Sequence, residues 1–318
     1  MCMLTWPKLF SLTMTNYHNP VLLESAIKGL NINPEGVYVD VTFGGGGHSR
    51  AILSALGKTG RLIAFDQDSD AVNNSISDPR FTLVEANFRN LSAHLRFQGV
   101  RKIDGLLADF GVSSHQFDKP ERGFSTRYDA PLDMRMSASM TTTAAEIIST
   151  FSVDALASLF RKYADLPNAY TLAKAIDSSR LLRPITTTFE LIAVLEPAVF
   201  SPKRNQQLAQ VFQAIRIEVN KELEVIESLL SQLASLTEPG ARCVFISYHS
   251  LEDRLVKNFI RSSRFEGEPE KDAFGNPNVY FKKIGGVQTP SAEEISVNNR
   301  ARSAKLRVAE RIVNAYSL

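Results

Sequence analysis

Four consecutive glycines, Gly44-Gly45-Gly46-Gly47, follow the apolar run Val37-Tyr38-Val39-Asp40-Val41-Thr42-Phe43 and lead into His48-Ser49. Behind them Ile52, Leu53 and Leu56 share one face at helical spacing, so the stretch reads as strand, tight turn and helix. Glycines in such a turn let a ligand approach the main chain closely. The free N–H groups of the following helix attract a negative group. Some 20 residues on, Arg61-Leu62-Ile63-Ala64-Phe65 ends at Asp66, the separation at which an acid accepts from a pair of ribose hydroxyls, about 20 residues past the turn. The spacing therefore predicts an adenosine-containing cofactor. A second acid, Asp109, ends the apolar strand Lys102-Ile103-Asp104-Gly105-Leu106-Leu107-Ala108, where a carboxylate faces the ligand crevice of a parallel sheet. A structural role competes for Asp109, although a lone buried carboxylate is costly. Phe88, just beyond the strand Phe81–Val84, suits an adenine ring or a core position equally well.

The glycines alone leave the cofactor open. The dinucleotide pattern G-x-G-x-x-G fits Gly44 and Gly46 but meets Ser49 at its third position. The phosphate-loop pattern fails because no lysine follows. The acidic-x-G-x-G-x-G pattern of S-adenosylmethionine (SAM) methyltransferases fits Asp40, Gly44 and Gly46 but meets Thr42 where its first glycine should stand. A glycine hinge with no ligand is the plain alternative.

These groups need a scaffold, and the chain supplies an alternating one. Val21–Leu30 reads as a helix, and three strand–helix units run from Val37 to Phe97. After Asp109 the alternation stops. Asp118–Arg135 is rich in charge, Gly and Pro, and helices follow at Ala144–Thr150, Val153–Tyr163, Ala169–Ser179 and Thr188–Leu195. Thr186-Thr187-Thr188-Phe189-Glu190 carries a helix-capping signature. One long helix is expected over residues 206–236, on the stripe Leu208, Val211, Phe212, Ile215, Val219, Leu223, Ile226 and Leu230. A fifth strand, Arg242–Ser247, ends in Tyr248-His249-Ser250, and Val279–Ile284 and Ala304–Val308 can be two more. The predicted fold class is α/β, a Rossmann-like class I methyltransferase sheet with an inserted helical domain. Its expected divisions are a disordered extension at 1–16, a domain built on that sheet at 17–117 and 206–318, and an inserted helical domain at 118–205. Met14 lies close before the folded part and is an alternative start.

Net charge is +2, from 36 basic and 34 acidic residues, so an RNA partner must be met by a local patch rather than a global field. Arg122, Arg127 and Arg135 are expected to touch phosphate. Cys2 and Cys243 supply neither a disulfide framework nor zinc spacing, and the histidines show no metal spacing, so no metal is expected and a cytoplasmic location is. No apolar run reaches the ~18 residues of a membrane span. Oligomeric state stays open, and a homodimer is compatible with the chain.

The motifs, taken in order, resemble the RsmH (MraW) family of ribosomal RNA small-subunit methyltransferases over nearly the whole chain. They are His18-x-Pro20-Val21-Leu22-Leu23, Thr42–Ser49, Asp66-Gln67-Asp68, Asp109–Ser114, Glu121–Ser125, Pro131–Met136, Pro184–Thr187, Val211–Ile217, Ser247–Arg254 and Arg300–Ser303. The threonine that breaks the generic glycine pattern belongs to the family's own version. The resemblance implies SAM-dependent methylation of the exocyclic N4 of a cytidine in the decoding region of 16S rRNA. It implies cofactor contacts at Gly46, Gly47, His48, Asp66, Phe88, Asp109 and Gln116. His115 and Phe110 depart from the family's usual proline and leucine, and Ala164–Ala169 lacks its Gly-Glu-Glu pattern.

An exocyclic amine needs in-line placement and a hydrogen-bond acceptor. Asp109, as the catalytic residue, or the Phe110 carbonyl would supply the acceptor. Phe124 or Tyr248 would hold an unstacked base. A nicotinamide dehydrogenase would share the glycine turn and Asp66, and a non-catalytic RNA-binding protein would share the basic insert.

Overall fold

The computed structural model describes residues 20–271 and 274–313, the side chains of Ser114, His115 and Ser201 excepted. The expected disordered extension at 1–16, the Met14 start and His18 lie outside the described residues. Seven strands form one sheet: β1 (Val37–Asp40), β2 (Arg61–Asp66), β3 (Phe81–Glu85), β4 (Ile103–Asp109), β5 (Thr237–Ser247), β6 (Phe281–Gln288) and β7 (Lys305–Arg311). Their order is β3-β2-β1-β4-β5-β7-β6. The first five pair in parallel, while β7 runs antiparallel between β5 and β6. This is the Rossmann-like class I methyltransferase sheet. The order reverses between β1 and β4, so a crevice opens outside their carboxyl ends.

Helices α1 (Leu23–Leu30) and α2 (Gly47–Ala55) cover one face, and α3 (Leu91–Phe97) joins the core of the other. Both faces of the strands are therefore apolar, as continuous hydrophobic runs in parallel strands require. After β4 come the short α4 (Ser114–Asp118) and then α5 (Ala144–Thr150), α6 (Val153–Ala164), α7 (Ala169–Arg180) and α8 (Thr188–Leu195). Their starts are written in capping residues. Thr143 and Ser152 accept from the third helical N–H, and Thr187 and Glu190 cap each other reciprocally. These helices share an apolar cluster that includes Leu156, Phe160, Leu172 and Leu191.

The single helix expected over 206–236 is two, α9 (Arg204–Asn220) and α10 (Glu222–Leu236). Lys221 between them is left-handed at φ 50°. The stripe reads through the break because apolar residues flank it at helical spacing, yet the halves face different cores. Leu208, Val211, Phe212 and Ile215 join the helical cluster, whereas Ile226, Leu229 and Leu230 pack under the sheet. Asn220 explains the break. Its side chain donates to the Met134 carbonyl at 2.8 Å and accepts from Met136 N at 2.8 Å, tying the joint to the loop before α5. The last helices are α11 (Ser250–Ser262) and α12 (Ala292–Val297). Among the described residues no helix is long and apolar enough to cross a membrane.

Candidate active site

The crevice is a cleft of about 2630 Å³ along the carboxyl edge of the sheet, bordered by the glycine turn, Asp66, Phe88, Asp109, Gln116 and Tyr248. The turn is built by backbone. Gly44 and Gly46 hold φ of 51° and 75°, which glycine alone adopts freely. Gly46 caps α2, and Gly47 opens it so close to Pro20 that a Cβ would lie 2.1 Å from Pro20 Cγ. Asp40, fully buried at the end of β1, accepts from Ser49 Oγ at 2.7 Å and Thr42 N at 3.1 Å, pinning both sides of the turn. The Thr42 hydroxyl accepts the Asp109 N–H at 2.7 Å and so ties the turn to the end of β4.

Asp66 accepts from Gly44 N at 2.8 Å and Asp68 N at 2.9 Å, one on each carboxylate oxygen. Burial raises its pKa to about 6, against those two hydrogen bonds. Asp66 lines the cleft, and each of its oxygens keeps acceptor capacity beyond that one bond, which is what a ribose diol requires. Phe88 is half-buried, with its ring 6.4 Å from that of Phe110. Asn87 and Gln67, joined by a 2.6 Å hydrogen bond, stand beside it on the cleft wall.

Gln116 lines the cleft, but its amide is committed to protein. Nε2 donates to Asp68 Oδ2 at 2.7 Å, and Oε1 accepts from Ser113 N at 3.0 Å. Arg122 reaches the same Asp68 at 3.1 Å and donates to the carbonyls of Arg135 and Met136. Arg135 is paired with Asp133 through both ends of its guanidinium and donates to the Met140 carbonyl. Both arginines are held by protein partners, whereas the sequence reading took them as free to meet phosphate. Arg127 is exposed. Phe124 is likewise core, 6% exposed and edge-on to Phe117.

Asp109 is the centre of the site. Its Oδ1 accepts from the Tyr248 hydroxyl at 2.8 Å, and its Oδ2 lies 3.9 Å from His48 Nδ1. Burial drives its pKa to about 7; the Tyr248 hydrogen bond opposes that, and Asp40 and Glu252 add to it by repulsion. His48 is buried with Nε2 3.1 Å from the Val21 carbonyl, and burial lowers its pKa to about 4, so it is neutral at pH 7. With Nε2–H directed to that carbonyl, the Nδ1 lone pair points toward Asp109. The two acceptors together suit an amine or ammonium group.

The sequence reading missed what stands behind Tyr248. Glu252, wholly buried, accepts from Tyr248 N at 2.8 Å and His249 N at 3.3 Å, closing a capping box at the start of α11. Burial works against its charge, but His249, Arg216 and these N–H groups hold its carboxyl below the usual range. The His-x-x-Glu spacing His249-Ser250-Leu251-Glu252 was the available signal, because a side-chain acceptor three residues before a glutamate is a cap pattern. Glu222, His249 and Glu252 also bring ligand-type atoms within 4.8 Å of one another. Arg216 already takes Glu222 through two bonds of 2.7 and 2.8 Å, supplying positive charge there without an ion.

A doubly wound sheet with a glycine turn after β1, an acid ending β2 and an acid ending β4 defines the class I methyltransferase type. The model of the MraW methylase family matches residues 15–312, and the chain belongs to that family. Three relatives are each named ribosomal RNA small subunit methyltransferase H. That of Christiangramia forsetii is 57% identical over 94% of this chain and 99% of its own. Those of Flavobacterium johnsoniae and Cytophaga hutchinsonii are 55% and 56% identical, over 94% and 93% of this chain and 99% of their own.

Proposed function

We propose that this chain transfers the methyl group of SAM to the exocyclic N4 amine of a cytidine in the decoding region of 16S rRNA, acting on the small ribosomal subunit. The observation that carries the reaction is the Asp109 carboxylate, which lines the cleft at the switch point with Oδ1 held by Tyr248 and Oδ2 accepting no hydrogen bond among the described residues. Family membership and the names of the relatives support the rRNA substrate. A ribosomal substrate implies work in the cytoplasm.

The donor set fits SAM. Asp66 keeps acceptor capacity for the ribose, Phe88 offers a face to the adenine, and His48 Nδ1 offers an acceptor to the methionine ammonium. Gly47 brings the α2 N-terminus to the same edge. When bound, SAM supplies an electrophilic methyl carried on a sulfonium. The cytosine amine is a weak nucleophile, so the protein must hold it in line within about 3–3.5 Å. The new N4–methyl bond would form as the methyl–sulfur bond breaks and its electron pair stays on sulfur, and one amine proton would pass to Oδ2 of Asp109. A carboxylate with a pKa near 7 is matched to receiving that proton at neutral pH.

We infer a division into a methyltransferase domain and a helical substrate domain, as the sequence suggests, but with the second joint at Lys221 rather than residue 206. The apolar side of α9 supports this, since it packs with α5–α8. A thermal-shift comparison tests the cofactor: SAM and S-adenosylhomocysteine should raise the melting midpoint and NAD should not. Stabilisation by NAD alone would favour a dehydrogenase.

A further inference from the structure

The two oxygens of Asp109 have unlike surroundings. Oδ1 takes the Tyr248 hydroxyl, while Oδ2 accepts no hydrogen bond among the described residues and lies 3.9 Å from His48 Nδ1. The Asp109 backbone is fixed as well, through its N–H to Thr42. Tyr248 in turn is anchored from behind, because its own N–H donates to the buried Glu252. Its ring borders Gly111, where a Cβ would lie 3.7 Å from Tyr248 Cδ2 and 4.0 Å from Glu252 Oε1. Glu252 sits against the buried Arg216–Glu222 pair that spans the α9–α10 joint. A line of contacts therefore runs from that joint to one oxygen of one carboxylate.

We propose that Tyr248 is a positioning residue for methyl transfer: its hydroxyl locks the Asp109 carboxylate in one rotation and leaves Oδ2 to receive the acceptor amine. The proposal rests on the reading of Asp109 given above and deepens it. A terminal carboxylate torsion is broad and nearly two-fold when unrestrained. One strong hydrogen bond at Oδ1 removes that freedom and fixes where the other oxygen points. Tyr248 is not itself the base, because burial first, and the facing Asp109 next, raise its pKa well above the ordinary value of 10.0.

The hydroxyl also sets the protonation of Asp109. The groups facing that carboxylate are His48 from α2, Asp40 from β1, Tyr248 from the end of β5 and Glu252 from α11, with Glu294 of α12 acting on Tyr248. His48 is neutral near pH 7, and the two acids that act on the carboxylate, Asp40 and Glu252, both oppose a charge there. Tyr248 is the one neighbour whose contact favours the ionised, proton-accepting form of Asp109.

The test is single-turnover methylation of small subunits lacking the modification, at saturating SAM, over a range of pH, with wild type, Tyr248→Phe, Asp109→Asn and the double variant. Loss of a hydrogen bond to a charged group should slow Tyr248→Phe about tenfold at neutral pH and move the acid limb of its profile up by about one unit. Glu252→Gln should move the limb the opposite way, since it removes a repelling charge. Tyr248→Phe should add little to Asp109→Asn, because both act through one carboxylate. A tyrosine that only supports the fold would lower the rate equally at every pH, with an unmoved limb, and that result overturns the proposal. Titration of the Asp109 carboxyl by carbon-13 NMR in Tyr248→Phe should show the same upward shift without turnover, and an unshifted carboxyl would likewise overturn the proposal. An inactive wild type would instead overturn the methyl-transfer reading itself, which is a distinguishable outcome.

Discussion

The carboxylate of Asp66 holds the N–H of Gly44 at 2.8 Å, so the acid after β2 shapes the glycine turn that it faces. Asp66→Ala should therefore weaken SAM twice over, by removing the ribose acceptor and by releasing the turn. The expected loss is about 1.5–3 kcal/mol. Because its pKa is raised to about 6, mainly by burial, the charged acceptor is lost as pH falls through about 6. SAM affinity should fall with it. Calorimetric titration reads both effects, and wild-type affinity for Asp66→Ala would remove Asp66 from the pocket.

Gly44 and Gly46 should respond differently to a side chain. At Gly44 a Cβ meets only Ser113 Cβ at 3.8 Å, so Gly44→Ala should cost about 1–2 kcal/mol from the left-handed backbone alone. At Gly46 a Cβ would lie 2.9 Å from the Phe43 ring and 2.6 Å from Arg50, so Gly46→Val adds a clash to the strain. Urea unfolding should rank Gly46→Val as the less stable, and equal midpoints would contradict the geometry of the turn.

The arginines of the 118–135 segment should separate by role. Arg127→Gln should lower RNA affinity and reduce the slope of log K against log salt by about 1. Arg122→Gln should leave that slope alone and lower stability, because Arg122 bridges Asp68 to two carbonyls. A reduced slope for Arg122→Gln with unchanged stability would reverse the assignment.

The α9–α10 joint depends on a buried ion pair. Arg216 and Glu222 are both nearly inaccessible and meet through two hydrogen bonds. Glu222→Gln removes the countercharge bonded to the guanidinium and leaves Glu252 alone to offset it, so it should cost about 3 kcal/mol. A change below about 1 kcal/mol in denaturant unfolding would mean that water reaches the pair.

Local signals made the sheet and the insert legible. Strand runs such as Leu106-Leu107-Ala108 are apolar on both faces, and Thr187 and Glu190 write their cap in sequence, so α8 fell where expected. The turn at Lys221 was not legible, because a single left-handed residue leaves helical periodicity intact and its cause, Asn220, acts on Met134 and Met136 more than 80 positions away. The site divided the same way. Strand ends announced Asp66 and Asp109, which line the cleft, whereas Arg122 and Arg135 read as free charge because their partners are set by the tertiary fold. Tyr248 was visible as an aromatic, but its partner Asp109 lies 139 positions earlier.

The most direct measurement is nucleoside mass spectrometry of 16S rRNA from small subunits lacking the modification, after incubation with SAM and either wild type or Asp109→Asn. Wild type should produce N4-methylcytidine. Asp109→Asn should remain slower by a factor equivalent to about 2–4 kcal/mol even when SAM saturates, because the carboxylate acts on the amine as its charge develops. Full recovery of the rate by Asp109→Asn at saturating SAM, or a methyl group found on an atom other than N4, would contradict the role given to Asp109 and the reaction built on it.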